Sequence, residues 1–317
     1  MEEITVVGSI NVDIVAFSDH YPNRGETIFG RKMAVLSGGK GANQAITSAR
    51  LGKKVRMIGS VGCDLYGDTV LDAMTKNGVN TSYVKRVKET STGCAIITVD
   101  ATAENTMLVV KGANDNLTAE DIQKAFSEIN GSKVLLVQME IPEEAVIEAM
   151  IQARNKRMFV ILDPAPADGI TGRALQYADL IVPNKQETKQ LTGIEVTDRD
   201  SAHQAAEYFD QIGIKNSIIK MGEKGSLVYE NGKTEYIEGI RVKAIDTVGA
   251  GDTFAGALGS ALASGANLVD SVKFANVVSA IKVTKQGAQA GVPTLEEVRD
   301  FCEERGISHY LSKTIKA

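Results

Sequence analysis

Two aspartates, Asp246 and Asp252, bracket a glycine-rich turn in the segment IDTVGAGDTFAGAL, Ile245 to Leu258. Glycines at 249 and 251 leave backbone amides open to an anion at a point where the pattern predicts a helix to begin. Amides directed at a phosphate beside a carboxylate suit phosphoryl transfer to a hydroxyl. The amides stabilise charge on the moving group, and Asp252 accepts the hydroxyl proton. A capping role explains an aspartate in the first turn, but it explains neither the glycines nor the second carboxylate at 246. A carboxylate facing that anion needs magnesium, other cations or the helix end to offset the repulsion. The segment is not a dinucleotide fingerprint, because after Gly249 and Gly251 the next glycine is Gly256, two places late. Nor does it end in the Gly-Lys-Ser/Thr of a Walker loop.

A second cluster, SGGKGANQA (Ser37 to Ala45), also opens a predicted helix. No serine or threonine follows Lys40, so a Walker reading fails here too. Close backbone approach at the glycines, with Lys40 and Asn43 as donors, suits a clamp on a sugar. ENGKTEY (Glu230 to Tyr236) contains Gly-Lys-Thr, but Asn231-Gly232 between two strand-like runs is a hairpin turn and structural. His20, His203 and His309 are isolated, which argues against histidine catalysis and zinc. Cys63, Cys94 and Cys302 are odd in number and far apart, and so predict a reducing compartment without a disulfide framework.

These residues must be positioned by a scaffold, and the chain spells one out. Near-continuous apolar runs at Ile4–Gly8, Val55–Val61, Lys133–Met139, Met158–Asp163, Asp179–Asn184 and Ser217–Gly222 read as strands covered on both faces. Helical patterns lie between them. One is Ala42 to Leu51, where Ala42, Ala45, Ile46 and Ala49 share a face and Gly52 supplies the stop. The succession predicts an α/β fold with a parallel sheet flanked by helices. Asn11–Leu36 and Ser91–Lys111 break the rhythm and read as fragments of a small accessory sheet, the second as a hairpin turning at Ala101–Glu104. Ligands bind beyond the carboxyl ends of parallel strands. The polar residues that follow strands are Asn11, Asp13, Glu140, Asn184, Glu187 and the Gly222–Gly225 loop.

At 317 residues with a formal net charge of −5, and without a basic cluster, the chain is not built for nucleic acid. A strand begins at Glu3, leaving no room for a signal peptide, and no apolar run approaches a membrane span. The expectation is a cytoplasmic protein.

GGKGANQA followed by Gly52 and Gly62, then DTVGAGDTFAGA, resemble the paired motifs of the ribokinase-like, PfkB-type carbohydrate kinases. GSINVD (Gly8–Asp13), GCDLYG (Gly62–Gly67), PNKQE (Pro183–Glu187) and VTKQGAQ (Val283–Gln289) extend the similarity from Ile4 to about Pro293. The resemblance implies a Rossmann-like α/β domain (1–10, 37–90 and 112–317) with a small β-sheet lid (11–36 and 91–111), the lid pairing with a second copy in a homodimer. It implies transfer of the ATP γ-phosphoryl, with magnesium, to a sugar hydroxymethyl group. Asp252 is then the base, and the amides of Gly249, Ala250, Gly251 and Asp252 form the anion hole. Asn11, Asp13, Gly39, Lys40, Gly41, Asn43 and Glu140 hold the sugar. Asn184, Lys220, Gly222, Gly225, Gly251 and Asn276 hold the nucleotide, and Glu187 organises magnesium through water. Potassium is implied near Asp246 and Val248 and the backbone of Lys282, Lys285, Gly287 and Gly291.

Three positions depart from the family pattern. Lys220 stands where many relatives have threonine, Asp163 where the sugar kinases of this group often have asparagine, and Gly291 where serine is frequent. GSINVD together with GGKGANQA points to D-ribose, phosphorylated at O5, with 2-deoxyribose the nearest rival and another family sugar or a nucleoside behind it. A non-catalytic sugar-binding regulator is the alternative from another class.

Overall fold

The computed structural model describes residues 3–102, 104–167 and 171–311. Residues 1, 2 and 312–317 at the ends of the expected α/β unit, residues 168–170 inside it, and residue 103 in the expected hairpin turn lie outside the described residues. Thirteen strands are present among the described residues. They are β1 (Glu3–Val7), β2 (Asn11–Phe17), β3 (Lys32–Gly38), β4 (Lys54–Gly62), β5 (Val79–Val87), β6 (Gly93–Val99) and β7 (Asn105–Val110). After these come β8 (Ser132–Val137), β9 (Phe159–Leu162), β10 (Leu180–Ile181), β11 (Asn216–Lys220), β12 (Gly225–Glu230) and β13 (Lys233–Glu238). The helices are α1 (Lys40–Arg50), α2 (Leu65–Lys76), α3 (Ala119–Glu128), α4 (Glu143–Asn155) and α5 (Gly172–Leu175). The series closes with α6 (Lys185–Thr192), α7 (Arg199–Gln211), α8 (Ala250–Ala263), α9 (Leu268–Val283) and α10 (Leu295–Glu304).

Nine strands form the main sheet in the order β13-β12-β11-β10-β9-β8-β1-β4-β5. From β11 to β5 every pairing is parallel, and β12 and β13 add an antiparallel edge. The apolar runs are strands for the reason their composition suggested. Ile4 and Val6 of β1 enter the core on one face, with residues of α1, α8 and α9, while Val7 enters the core on the other, with residues of α3, α4 and α7. Burial on both faces removes the alternation that a half-exposed strand would show. The Asn231-Gly232 turn joins β12 to β13 with positive φ at both residues, 49° and 81°.

The second sheet has the order β3-β2-β6-β7. Its outer pairs are antiparallel, but β2 and β6 run parallel, so the sheet is mixed. It grows directly out of the main sheet: β1 ends at Val7 and β2 starts at Asn11, which places Asn11 and Asp13 at the junction of the two sheets.

Candidate active site

The carboxyl ends of β1, β8, β9, β10 and β11 open on one edge of the main sheet, and the polar residues that follow them converge there. The edge holds a cleft of about 330 Å³. Lys40, Asp163, Asn184, Glu187 and Lys220 line one part, and Gly222, Gly225, Asn276 and the Gly249–Asp252 turn line the rest.

Gly249 begins α8 with φ 76°, a backbone conformation that disfavours side chains, and no side chain caps the helix. The Ala250 amide turns back to the Thr247 carbonyl at 3.1 Å. The amides of Gly251 and Asp252 belong to the first turn, where a helix offers no acceptor, and both residues line the cleft at the positive end of the helix dipole. Gly256, the glycine that came too late for a dinucleotide motif, has a packing role. A Cβ there would lie 2.7 Å from the Thr47 side chain, so its absence lets α8 cross closely over α1.

That crossing brings the two glycine clusters together. Asn43 of α1 donates from Nδ2 to Asp252 Oδ2 at 2.8 Å, and accepts on Oδ1 from Gln289 Nε2 at 2.9 Å. The Asn43 amide is thereby fixed in one orientation, and it fixes the carboxylate. Asp252 is buried, and burial pushes its carboxyl up to about 6, opposed by Lys40 and the Asn43 bond and reinforced by Asp163 and Glu140. Burial likewise pushes Asp13 up to about 6, with the Glu140 and Asp252 charges adding to the rise. Burial alone would lower the Lys40 pKa, but Asp252, Asp163, Glu140 and Glu187 together raise it, so Lys40 stays charged at the centre of four carboxylates.

Gly39, Lys40 and Gly41 form the start of α1, and near it Glu140 accepts a 2.5 Å hydrogen bond from Ser9 Oγ. Asn11 Oδ1 accepts from Asn114 Nδ2 at 2.7 Å, and Asn114 Oδ1 accepts the Ile10 amide at 2.9 Å. Asn114, fully buried after β7, escapes sequence reading because nothing in GANDN separates it from an ordinary turn. Gln44 and Gln138 escape it too: Gln138 Nε2 donates to Gln44 Oε1 at 2.6 Å, and Gln44 Nε2 to Asp163 Oδ2 at 2.9 Å.

At the start of α6, Asn184 and Glu187 cap the helix reciprocally, with Asn184 Nδ2 donating to Glu187 Oε1 at 2.8 Å and the Asn184 amide to Oε2 at 2.7 Å. Burial raises the Glu187 pKa. Lys220 Nζ bonds Asp163 Oδ1 at 3.2 Å, and Nζ lies 3.7 Å from the point a Gly251 Cβ would occupy. Two of the three departures from the family pattern, Lys220 and Asp163, are therefore one ion pair at the mouth of the amide turn.

Among the described residues no three His, Cys, Asp or Glu side chains converge to hold a metal by themselves. This donor set suits magnesium, which keeps its waters and is carried on substrate phosphates beside one or two carboxylates. The set expected for potassium lies outside the cleft, and the Lys282 ammonium already stands in it, 2.9 Å from the Asp246 carbonyl and 4.0 Å from Asp246 Oδ2. Both Asp246 carboxylate oxygens already accept main-chain amides, Oδ1 from Val248 at 2.9 Å and Oδ2 from Gly287 at 2.7 Å.

Comparison with known proteins identifies the family. The model of the pfkB family carbohydrate kinases matches residues 1–295. A ribokinase of Haemophilus influenzae is 39% identical over 300 residues, spanning 95% of this chain and 98% of that protein. A deoxyribokinase of Salmonella typhi is 35% identical over 302 residues, spanning 94% and 98%. The structure of Arabidopsis thaliana ribokinase complexed with ribose and ATP superposes with a TM-score of 0.88 at 30% identity, covering 94% of this chain and 98% of that one.

Proposed function

The chain belongs to the pfkB family of carbohydrate kinases and is a sugar kinase, and from that premise we propose that it transfers the γ-phosphoryl of ATP to O5 of D-ribose. The observation that carries the reading is the pairing of unshared amides at Gly251 and Asp252 with a buried Asp252 carboxylate held by Asn43. Asp252 takes the proton of the attacking hydroxyl as the bond to phosphorus forms. A carboxyl raised to about 6 is ionised at neutral pH and basic enough for that task. The helix-start amides and Lys220 stabilise charge on the moving group. Asn184, Gly222, Gly225 and Asn276 cradle the nucleotide. Magnesium supplies neutralising charge on the phosphates, with Glu187 facing it through water. Asn11, Asp13, Lys40, Asn43 and Glu140 bind the sugar hydroxyls. Cys63, Cys94 and Cys302 are free, and no described helix is long and apolar enough to cross a membrane.

An ATP-coupled assay over ribose, 2-deoxyribose, fructose and adenosine tests the proposal. Asn11 and Asp13 left without a hydroxyl partner predict a kcat/KM for 2-deoxyribose about 10- to 100-fold below that for ribose. Equal or better turnover of 2-deoxyribose would move the assignment to the deoxysugar. Sugar binding with no turnover of any sugar would favour the regulator.

The lid sheet carries an apolar stripe that suits a second copy of this chain. Val35, Ile14, Ile96 and Leu108 stand side by side in register across all four strands. Val35, Ile96 and Leu108 are 41%, 45% and 63% exposed. We expect a homodimer by light scattering, and Ile96→Asp, which puts a charge in the middle of the stripe, to give monomers of unchanged secondary structure. A monomeric parent chain would remove the dimer.

A further inference from the structure

Lys282 is a charged side chain that the transfer chemistry does not use, yet it is fully buried at the end of α9. Its ammonium donates to the backbone carbonyl of Asp246 at 2.9 Å and lies 4.0 Å from Asp246 Oδ2. Burial lowers its pKa, while the Asp246 and Asp252 carboxylates act in the opposite direction. An ammonium is buried at such cost only where carbonyl and carboxylate oxygens replace its water. Gly291, across the loop, adds no side-chain oxygen and has no room for one. A Cβ there would lie 2.8 Å from the Gly287 carbonyl and 3.2 Å from that of Lys285. Where the family resemblance implied a free monovalent cation, the charge at Asp246 is already present and is attached to the chain.

The loop so anchored carries the catalytic turn. The amides of Ile245 and Asp246 both bond the Val283 carbonyl, at 2.7 and 3.1 Å, one residue from Lys282. Gly249 packs against Ala288, and Gln289 holds the Asn43 that holds Asp252. We propose that the Lys282 ammonium is a built-in monovalent cation that fixes Asp246 and the amide turn after it, so that turnover proceeds without potassium. The activity arm of the test rests on the kinase reading above, and the thermal arm does not.

Phosphoryl transfer by the unmodified protein is measured in potassium and in tetramethylammonium at equal ionic strength, with magnesium present in both. The rates are expected to agree within about threefold, and a larger stimulation by potassium would overturn the proposal. Lys282→Met keeps the bulk of the side chain and removes the charge. It is expected to lose about 10-fold or more in tetramethylammonium and to regain activity in potassium. Its melting temperature should rise with potassium where that of the unmodified protein does not, because an ion that binds only the folded chain stabilises it. A Lys282→Met protein as active in tetramethylammonium as its parent would also overturn the proposal. Should that variant fail to fold, the cation comparison on the unmodified protein still decides. Should no sugar be turned over, a potassium-dependent melting temperature of the unmodified protein overturns the proposal, and an indifferent one supports it.

Discussion

Asp252→Asn is expected to lower kcat at least ~100-fold while sugar binding and the fold persist. The substitution keeps shape and can still accept the Asn43 Nδ2 bond through its amide oxygen, so the change falls on proton acceptance. The parent enzyme should lose kcat/KM as the pH falls through about 6, where Asp252 and Asp13 take up protons; because the Asp252 charge raises Asp13, that limb reports both groups. Stability moves the other way. The folded carboxyl titrates at about 6 and an aspartate ordinarily at 3.8, so between these pH values the folded protein binds a proton that the unfolded chain has released. Stability from this group is therefore lost as the pH rises from about 4 to about 6, and the loss is constant above. Asparagine does not titrate. The melting temperature of Asp252→Asn relative to its parent should climb across that window and then level. A variant with near-parental kcat would remove Asp252 from the role of base.

The scaffold was largely legible because burial on both faces leaves a plain mark on sequence. Each expected run contains a strand, from Ile4–Gly8 to Ser217–Gly222, within a residue or two except at β10. There Pro183 cannot donate, the paired strand shrinks to Leu180–Ile181, and Asn184 meets Lys220 only through an isolated bridge. The edge strand β5, VNTSYVKRV, was missed because much of it meets solvent and its polar residues blur the apolar run. Helix α1 was legible as a helix and misleading as an amphipathic one. Gly41 to Ser48 are all buried, because α1 lies between the sheet and α8, and its polar residues find partners inside. Gln44 and Asn43 therefore do internal work that a pattern of one apolar face does not reveal. Residues carried by a motif, such as Asp252, Lys40 and Asn43, could be named from sequence. Residues that hold the site's polar groups in place, Gln289 on Asn43, Asn114 on Asn11 and Gln138 on Gln44, could not, since their partners lie far along the chain.

Lys220→Met should lower kcat/KM for ATP about 100-fold, with the KM for ribose nearly unchanged. The Lys220 and Asp163 side chains are only 13% and 3% exposed, and Asp163 Oδ1 is the ammonium's one hydrogen-bond partner among the described residues. Its remaining N–H bonds are free for phosphate oxygens beside the Gly251 amide. Removing the ammonium also strands a carboxylate that keeps only Gln44, and breaking a buried pair from one side typically costs ~3–5 kcal/mol. A loss of fold would then mimic a loss of catalytic rate, and adding Asp163→Asn separates the two. Lys220→Met with Asp163→Asn has no stranded charge, so its melting temperature should recover most of the way while kcat/KM for ATP stays low. If rate and stability return together, the pair merely holds β9 to β11. If only stability returns, the ammonium acts on the phosphoryl group, and Asp163, held in turn by Gln44 of α1, ties the position of that charge to the helix that carries Lys40 and Asn43.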